Sequence, residues 1–160
     1  MQFISETIIE QVAEAVGRLN GETEPLVAEL KQKEPAILAY LTSDGFGILT
    51  NPERDYLLYL ALVLWRSVEA VAPAKRPVTQ DEIGEAEEAN WSAFNENIGK
   101  KFRDRLDVFF EQTQQEDLLA FIEDALIADE EDEILTKEGR EPVFIALKTI
   151  LDCLEEAREG

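Results

Sequence analysis

Ten consecutive residues constrain this chain more than any others: Tyr56-Leu57-Leu58-Tyr59-Leu60-Ala61-Leu62-Val63-Leu64-Trp65, with no charged side chain among them. The run falls within a helix expected from Pro52 to about Val71. A helix that is apolar around its whole circumference has to be surrounded by other elements. A membrane span would need about twenty such residues, so the run predicts a buried central helix and not a transmembrane one. The chain has 160 residues, 45% of them hydrophobic, which is enough to build the surrounding layer.

The remainder reads as helices as well. Ile4, Ile8, Ile9, Val12, Val16 and Leu19 recur at helical spacing, with Ser5 as a candidate N-cap and Gly21 as a stop. Glu24-Pro25, Glu34-Pro35 and Glu141-Pro142 mark three helix starts, because proline is tolerated where its missing N–H would have no partner. Asn51 before Pro52 is a fourth start, with Asn51 as the N-cap. Thr79 with Glu82, and Thr113 with Glu116, have the spacing of capping boxes. Trp91, Phe94, Ile98, Phe102, Leu106 and Phe109 keep one phase across Gly99, which predicts a single long helix from about Gln80 to Gln112. The last helix is expected from Pro142 to about Ala157. Gly45-Phe46-Gly47 reads as a chain reversal, with Phe46, Ile48 and Leu49 turned to the core or forming a second contact patch. The fold class is therefore all-α: a single-domain helical bundle of six to eight helices around the 52–71 helix, with residues 72–78 a linker-like segment between two helical halves.

Composition removes most catalytic templates. There is no histidine and one cysteine, Cys153, which excludes a Ser-His-Asp triad, a His-ligated metal, a cysteine zinc cluster and an internal disulfide. Cys153 sits beside Leu151 and Leu154 and reads as a small buried hydrophobe. No catalytic residue, metal ligand or cofactor is assigned. With 35 acidic and 15 basic residues the net charge is −20, which argues against duplex nucleic acid and anionic membranes as partners. The N-terminal residues Met1 to Glu6 have no basic region or long apolar stretch. Together with the single thiol this leads to an expected cytoplasmic location.

Paired carboxylates offer one route to enzymatic chemistry. Glu82/Glu85 and Asp104/Asp107 each share a helix face, and oxygen ligands suit Mg²⁺. The arrangement resembles, loosely, the acidic pairs of all-helical nucleotide pyrophosphohydrolases, which implies a Mg-dependent phosphohydrolase using only Asp and Glu ligands. On one continuous helix, however, the pairs would stand roughly 33 Å apart. Lys100, Lys101, Arg103 and Arg105 form the one basic cluster, and Glu96, Asp104 and Asp107 lie four residues from its members. The run Asp129-Glu130-Glu131-Asp132-Glu133 is no EF-hand, because Ile134 stands where the loop needs glycine.

The acidic charge is polarised along the chain. No basic residue occurs between Arg105 and Lys137. Within that window Glu116/Asp117, Glu123/Asp124 and Glu130/Glu131 repeat every seven residues, which on a helix aligns them opposite Leu119, Ile122 and Leu126. The expected function is a non-enzymatic acidic protein that binds a basic protein partner through the 106–136 surface, with Glu116, Asp117, Glu123, Asp124, Asp129, Glu130, Glu131, Asp132 and Glu133 as the contact residues. Small acidic helical inhibitors, immunity proteins and nucleic-acid mimics have a similar general character. The remaining alternative is a structural scaffold or homo-oligomer whose charge serves solubility.

Overall fold

Every residue from Leu60 to Trp65 is buried, as a helix with no polar face requires. The computed structural model describes residues 1–96, 101–128 and 135–159, and the protein is an all-α helical bundle. Its helices are α1 (Glu6–Gly17), α2 (Glu24–Lys33), α3 (Pro35–Leu41), α4 (Asn51–Val71), α5 (Gln80–Asn95), α6 (Phe102–Arg105), α7 (Asp107–Gln112), α8 (Glu116–Ala128) and α9 (Lys137–Glu156), with a 3₁₀ turn at Asp44–Phe46. Helices α6 and α7 are parted only by Leu106, itself in helical conformation, so they form one segment and the described residues make eight helices. No strand occurs among the described residues. Nor does any helix there have the length and apolarity to cross a membrane.

Two helices share the centre. α9 packs on α4, and its residues Val143 to Ile150 are buried on all faces. α1 and α2 cover α4, α5 and α8 cover α9, and α8 also meets α1. One contiguous apolar cluster runs from Ile4 to Ala157. The segment after α4 is held at several points: Arg158 Nε donates to the Ala72 carbonyl at 2.8 Å, Lys75 N donates to the Ala157 carbonyl at 3.3 Å, and Val78 N donates to Glu34 Oε1 at 2.8 Å.

Several boundaries differ from expectation, each for a visible reason. Asn51 is the first residue of α4, and the N-cap is Thr50, whose hydroxyl accepts from Glu53 N while Glu53 Oε1 accepts from Thr50 N. At the start of α8 the Thr113 hydroxyl accepts from Gln115 N, and the Gln115 carbonyl accepts a helical bond from Leu119 N. The long helix ends at Asn95. Arg105 donates to the Phe94 carbonyl at 3.2 Å and lies 3.6 Å from the Phe94 ring centroid, whereas eleven residues of straight helix would separate them by about 16 Å. Aromatic contacts favour the reversal, since Phe102 meets both Phe94 and Phe144.

The last helix starts five residues early, at Lys137, so Pro142 lies inside it and deletes one helical hydrogen bond. What compensates is a junction at its start. The buried Glu53 carboxylate reaches from the first turn of α4 to the N-cap of α9, where Oε2 accepts from Thr136 N at 2.9 Å and from Thr136 Oγ1 at 3.0 Å. One anion thus serves two helix N-termini, where backbone donors and dipoles favour negative charge. Burial opposes the charge, but the hydrogen bonds from Thr50 and Thr136 outweigh it and hold the carboxyl below its ordinary range. Gly139 is required by this contact. A Cβ there would overlap Glu53 Oε2 and stand 2.8 Å from Cδ.

Gly139→Ala is therefore expected to lower stability in urea denaturation, although alanine is the better helix former by about 1 kcal/mol. Glu53→Ala is expected to cost about 2–4 kcal/mol, since it strands buried donors. In the Glu53→Ala background Gly139→Ala becomes neutral or stabilising, and an unchanged penalty in the double variant would refute the contact.

Candidate functional site

The acidic residues of the seven-residue stripe do not form one uniform face. Glu116 and Asp124 of α8 are exposed, as are Asp107 and Glu111 of α7. Asp117 is engaged: its Oδ2 accepts from Glu6 N at 3.0 Å and so satisfies a donor at the start of α1. Glu123 is only 14% exposed and pairs with Arg103 at 3.6 Å. Burial pushes its carboxyl above the ordinary range against the pull of Arg103, and Asp124 and Asp107 push it further. Acids of α7 and α8 are therefore close enough to feel one another. Asp129, Glu130, Glu131, Asp132 and Glu133 lie outside the described residues, as does Lys100 of the basic cluster. Arg103 and Arg105 make cross-element contacts, Arg105 Nη1 donating to Glu141 at 2.9 Å. That geometry replaces the helical pairs expected within the cluster, because the helix that would have carried them is not continuous.

The paired carboxylates do not converge. Glu82 is committed to the start of α5, where it completes a capping box with Thr79 and accepts a bidentate pair from Arg76 at 2.7 and 2.8 Å. Hydrogen bonding from Arg76 is the largest influence on it and lowers its carboxyl to about 2. Glu85, Asp104 and Asp107 are exposed. Among the described residues no three His, Cys, Asp or Glu side chains lie together as a metal would need. Cys153 is a buried free thiol whose environment pushes it up to about 12, chiefly by desolvation.

A concave site lies elsewhere, where α3, α5 and α9 meet beside the 3₁₀ turn. It has a volume of about 410 Å³, within the range of small-molecule pockets. Tyr40, Phe46, Ile83, Trp91 and Ile145 give it apolar walls, and Glu87 is the one charged residue lining it among those described. The Tyr40 hydroxyl donates to Glu87 Oε2. Burial, and then that hydrogen bond to Glu87, hold the Tyr40 hydroxyl well above the usual phenol range, so it acts as a donor. Behind this pair, buried Asn90 donates to Thr149 Oγ1 at 3.2 Å and to Asp152 Oδ2 at 3.1 Å. Of the three apolar residues at the turn expected in the core, Phe46 and Leu49 are buried, with Phe46 lining the cleft, whereas Ile48 is 68% exposed. Sequence patterning gave no hint of this site. Its walls come from three separated segments whose apolar residues also serve the core.

Two further functional-looking residues were not legible from spacing. Gln115, fully buried, accepts from Ile4 N at 2.9 Å and donates to the Gln2 carbonyl at 3.0 Å, so it clamps the segment before α1. Glu34 is buried and its Oε2 has no hydrogen-bond partner among the described residues, so burial raises its carboxyl despite the Val78 N–H and Arg158. The chain matches no protein-family model, no curated protein and no solved structure.

The perturbed carboxyls have opposite effects on stability. Glu155, near the end of α9, is pushed up to about 7, mainly by burial and then by Asp152, with Lys148 opposing. Between its ordinary value of 4.5 and about 7, the folded chain keeps a proton that the unfolded chain releases, so stability falls as pH rises through that window. Glu53 works the other way: its contribution is present above the ordinary value and is lost as pH falls through its lowered one. Urea denaturation should show Glu155→Gln gaining about 1–2 kcal/mol at pH 8.5, after screening, and little at pH 4. An equal gain at both pH values would contradict the assignment.

Proposed function

We propose that this is a non-enzymatic acidic binding protein that presents the side formed by α7 and α8 to a basic protein partner. The observation that supports it most directly is the imbalance of charge there. Asp107, Glu111, Glu116 and Asp124 are exposed, while Arg103 and Arg105 are each engaged with another element. No basic residue follows until Lys137. Unneutralised like charges on adjacent helices repel and cost a few tenths of a kcal/mol per close pair. A cationic partner removes that cost, and the field of the whole acidic chain accelerates its approach. Asp117 and Glu123 have structural duties, so the contact set centres on the exposed acids. Asp129 to Glu133 extend the same acidic stretch in sequence.

Reversal of four exposed charges tests the reading. Association with basic proteins of isoelectric point above about 9 is measured at low and at physiological salt. Asp107→Lys, Glu111→Lys, Glu116→Lys and Asp124→Lys combined are expected to slow association by about tenfold or more. A control carrying Glu10→Lys, Glu14→Lys, Glu22→Lys and Glu24→Lys has the same net charge and should lose much less. Equal losses in the two variants would reduce the effect to net charge and overturn the assigned surface.

A further inference from the structure

The cleft between α3, α5 and α9 lies apart from the acidic side and has a different chemistry. We propose that it is a binding site for a small organic ammonium, whose apolar body packs against Ile83, Ile145 and Trp91 while its nitrogen meets Glu87. Three features of the cleft carry this.

The first is its charge. Among the described residues Glu87 is the one charged residue lining it, and none of the lysines or arginines described there reaches in to neutralise that carboxylate. The Tyr40 hydroxyl occupies Oε2, and no hydrogen bond from a described residue reaches Oε1. The carboxylate is therefore held in place with one oxygen available to a donor. Asp81, Glu85 and Glu88 on the same helix are exposed, and their field adds to that of Glu87 in favouring cations over neutral or anionic molecules.

The second is its walls. Tyr40 and Phe46 meet edge to face with ring centroids 5.1 Å apart, and Trp91 stands half-buried across the same cavity. Aromatic faces attract an ammonium through the ring quadrupole, most strongly where water is excluded. Apolar walls with one placed anion are the combination that selects an amine bearing a hydrophobic group.

The third is the space itself. Gly84 lies within α5 and lines the cleft, yet a Cβ there would meet nothing within 4 Å. A helix-interior glycine costs about 1 kcal/mol relative to alanine, and no contact at this position requires it. A side chain at 84 would project into the cavity.

The test uses the whole chain at physiological salt, with 2-phenylethylammonium as probe and 2-phenylethanol and 3-phenylpropionate as its neutral and anionic counterparts. Trp65 is fully buried and Trp91 borders the cleft, so tryptophan emission reports occupancy, and amide chemical shifts locate the probe. The ammonium is expected to saturate at about millimolar concentration or below, shifting the amides of Ile83, Gly84 and Ile145. Glu87→Gln should weaken it at least tenfold. Gly84→Leu should abolish binding while leaving the melting temperature unchanged or higher, which separates a blocked site from a damaged fold. Equal binding of the three probes, undiminished binding to Gly84→Leu, or shifts confined to α7 and α8 would each overturn the proposal.

Discussion

The hydrogen bonds that converge on Glu53 set the geometry from which the rest of the bundle follows. Among the described helices, α4 and α9 are buried through their middles, so burial alone leaves their mutual register weakly set. A directional contact has to choose the register, and the carboxylate of Glu53 supplies it by joining the Thr50 and Thr136 caps. Hydrogen bonds to an ionised acceptor are worth roughly twice neutral ones, and leaving such a group unpaired in the interior is costlier still. The two helix starts are consequently locked at one distance. Pro142 is tolerated six residues into α9 because the start of that helix is anchored independently of the bond proline removes.

A chain of net −20 folds because many of its cations are committed to holding elements together. Arg66 meets Glu29 of α2 and Glu69, Arg76 ties the interhelical segment to Glu82, and Lys148 pairs with Asp152 along α9. Arg105 covers the end of α5 and reaches Glu141, while buried Arg158 binds the carbonyls of Ala72 and Leu154. Carboxylates are also used inward, at Glu53, Glu34 and Asp117. The negative surface is thus what remains after basic groups have been drawn into tertiary contacts. That explains why α7 and α8, with neighbouring guanidiniums already engaged, carry the uncompensated excess. Repulsion among them lowers stability, a cost offset by the apolar cluster that both central helices share.

Apolar patterning made the class of the fold legible, because Tyr56–Trp65 admits no other environment and the period elsewhere is helical throughout. Local capping chemistry was legible where only one reading existed, as at Thr79 and Glu82. It was ambiguous where two cap-forming residues adjoin, and Thr50 prevailed over Asn51 because Glu53 stands three positions after it. Long-range geometry was not legible. The phase that runs from Trp91 to Phe109 is compatible both with one helix and with two segments folded together, and only the contact of Phe102 with Phe94 and Phe144 decides between them. For the same reason the acidic stripe was visible as a pattern, while the duties of Asp117 and Glu123 were not. A hydrogen bond spanning 111 residues leaves no trace in local spacing.

The two glycines inside α5 and α9 show how far the same residue can mean opposite things. On propensity alone each weakens its helix by a similar amount. At Gly139 the position is occupied: the Glu53 carboxylate stands where a Cβ would be, so the local loss is offset by a junction that aligns the core. At Gly84 the position is vacant, and no neighbouring atom would contact an added Cβ. Natural chains break local rules chiefly where function demands it. A helix position that gives up stability without any packing return, and does so on the wall of a cleft holding a single oriented carboxylate, separates the cleft from the ordinary imperfections of a small bundle.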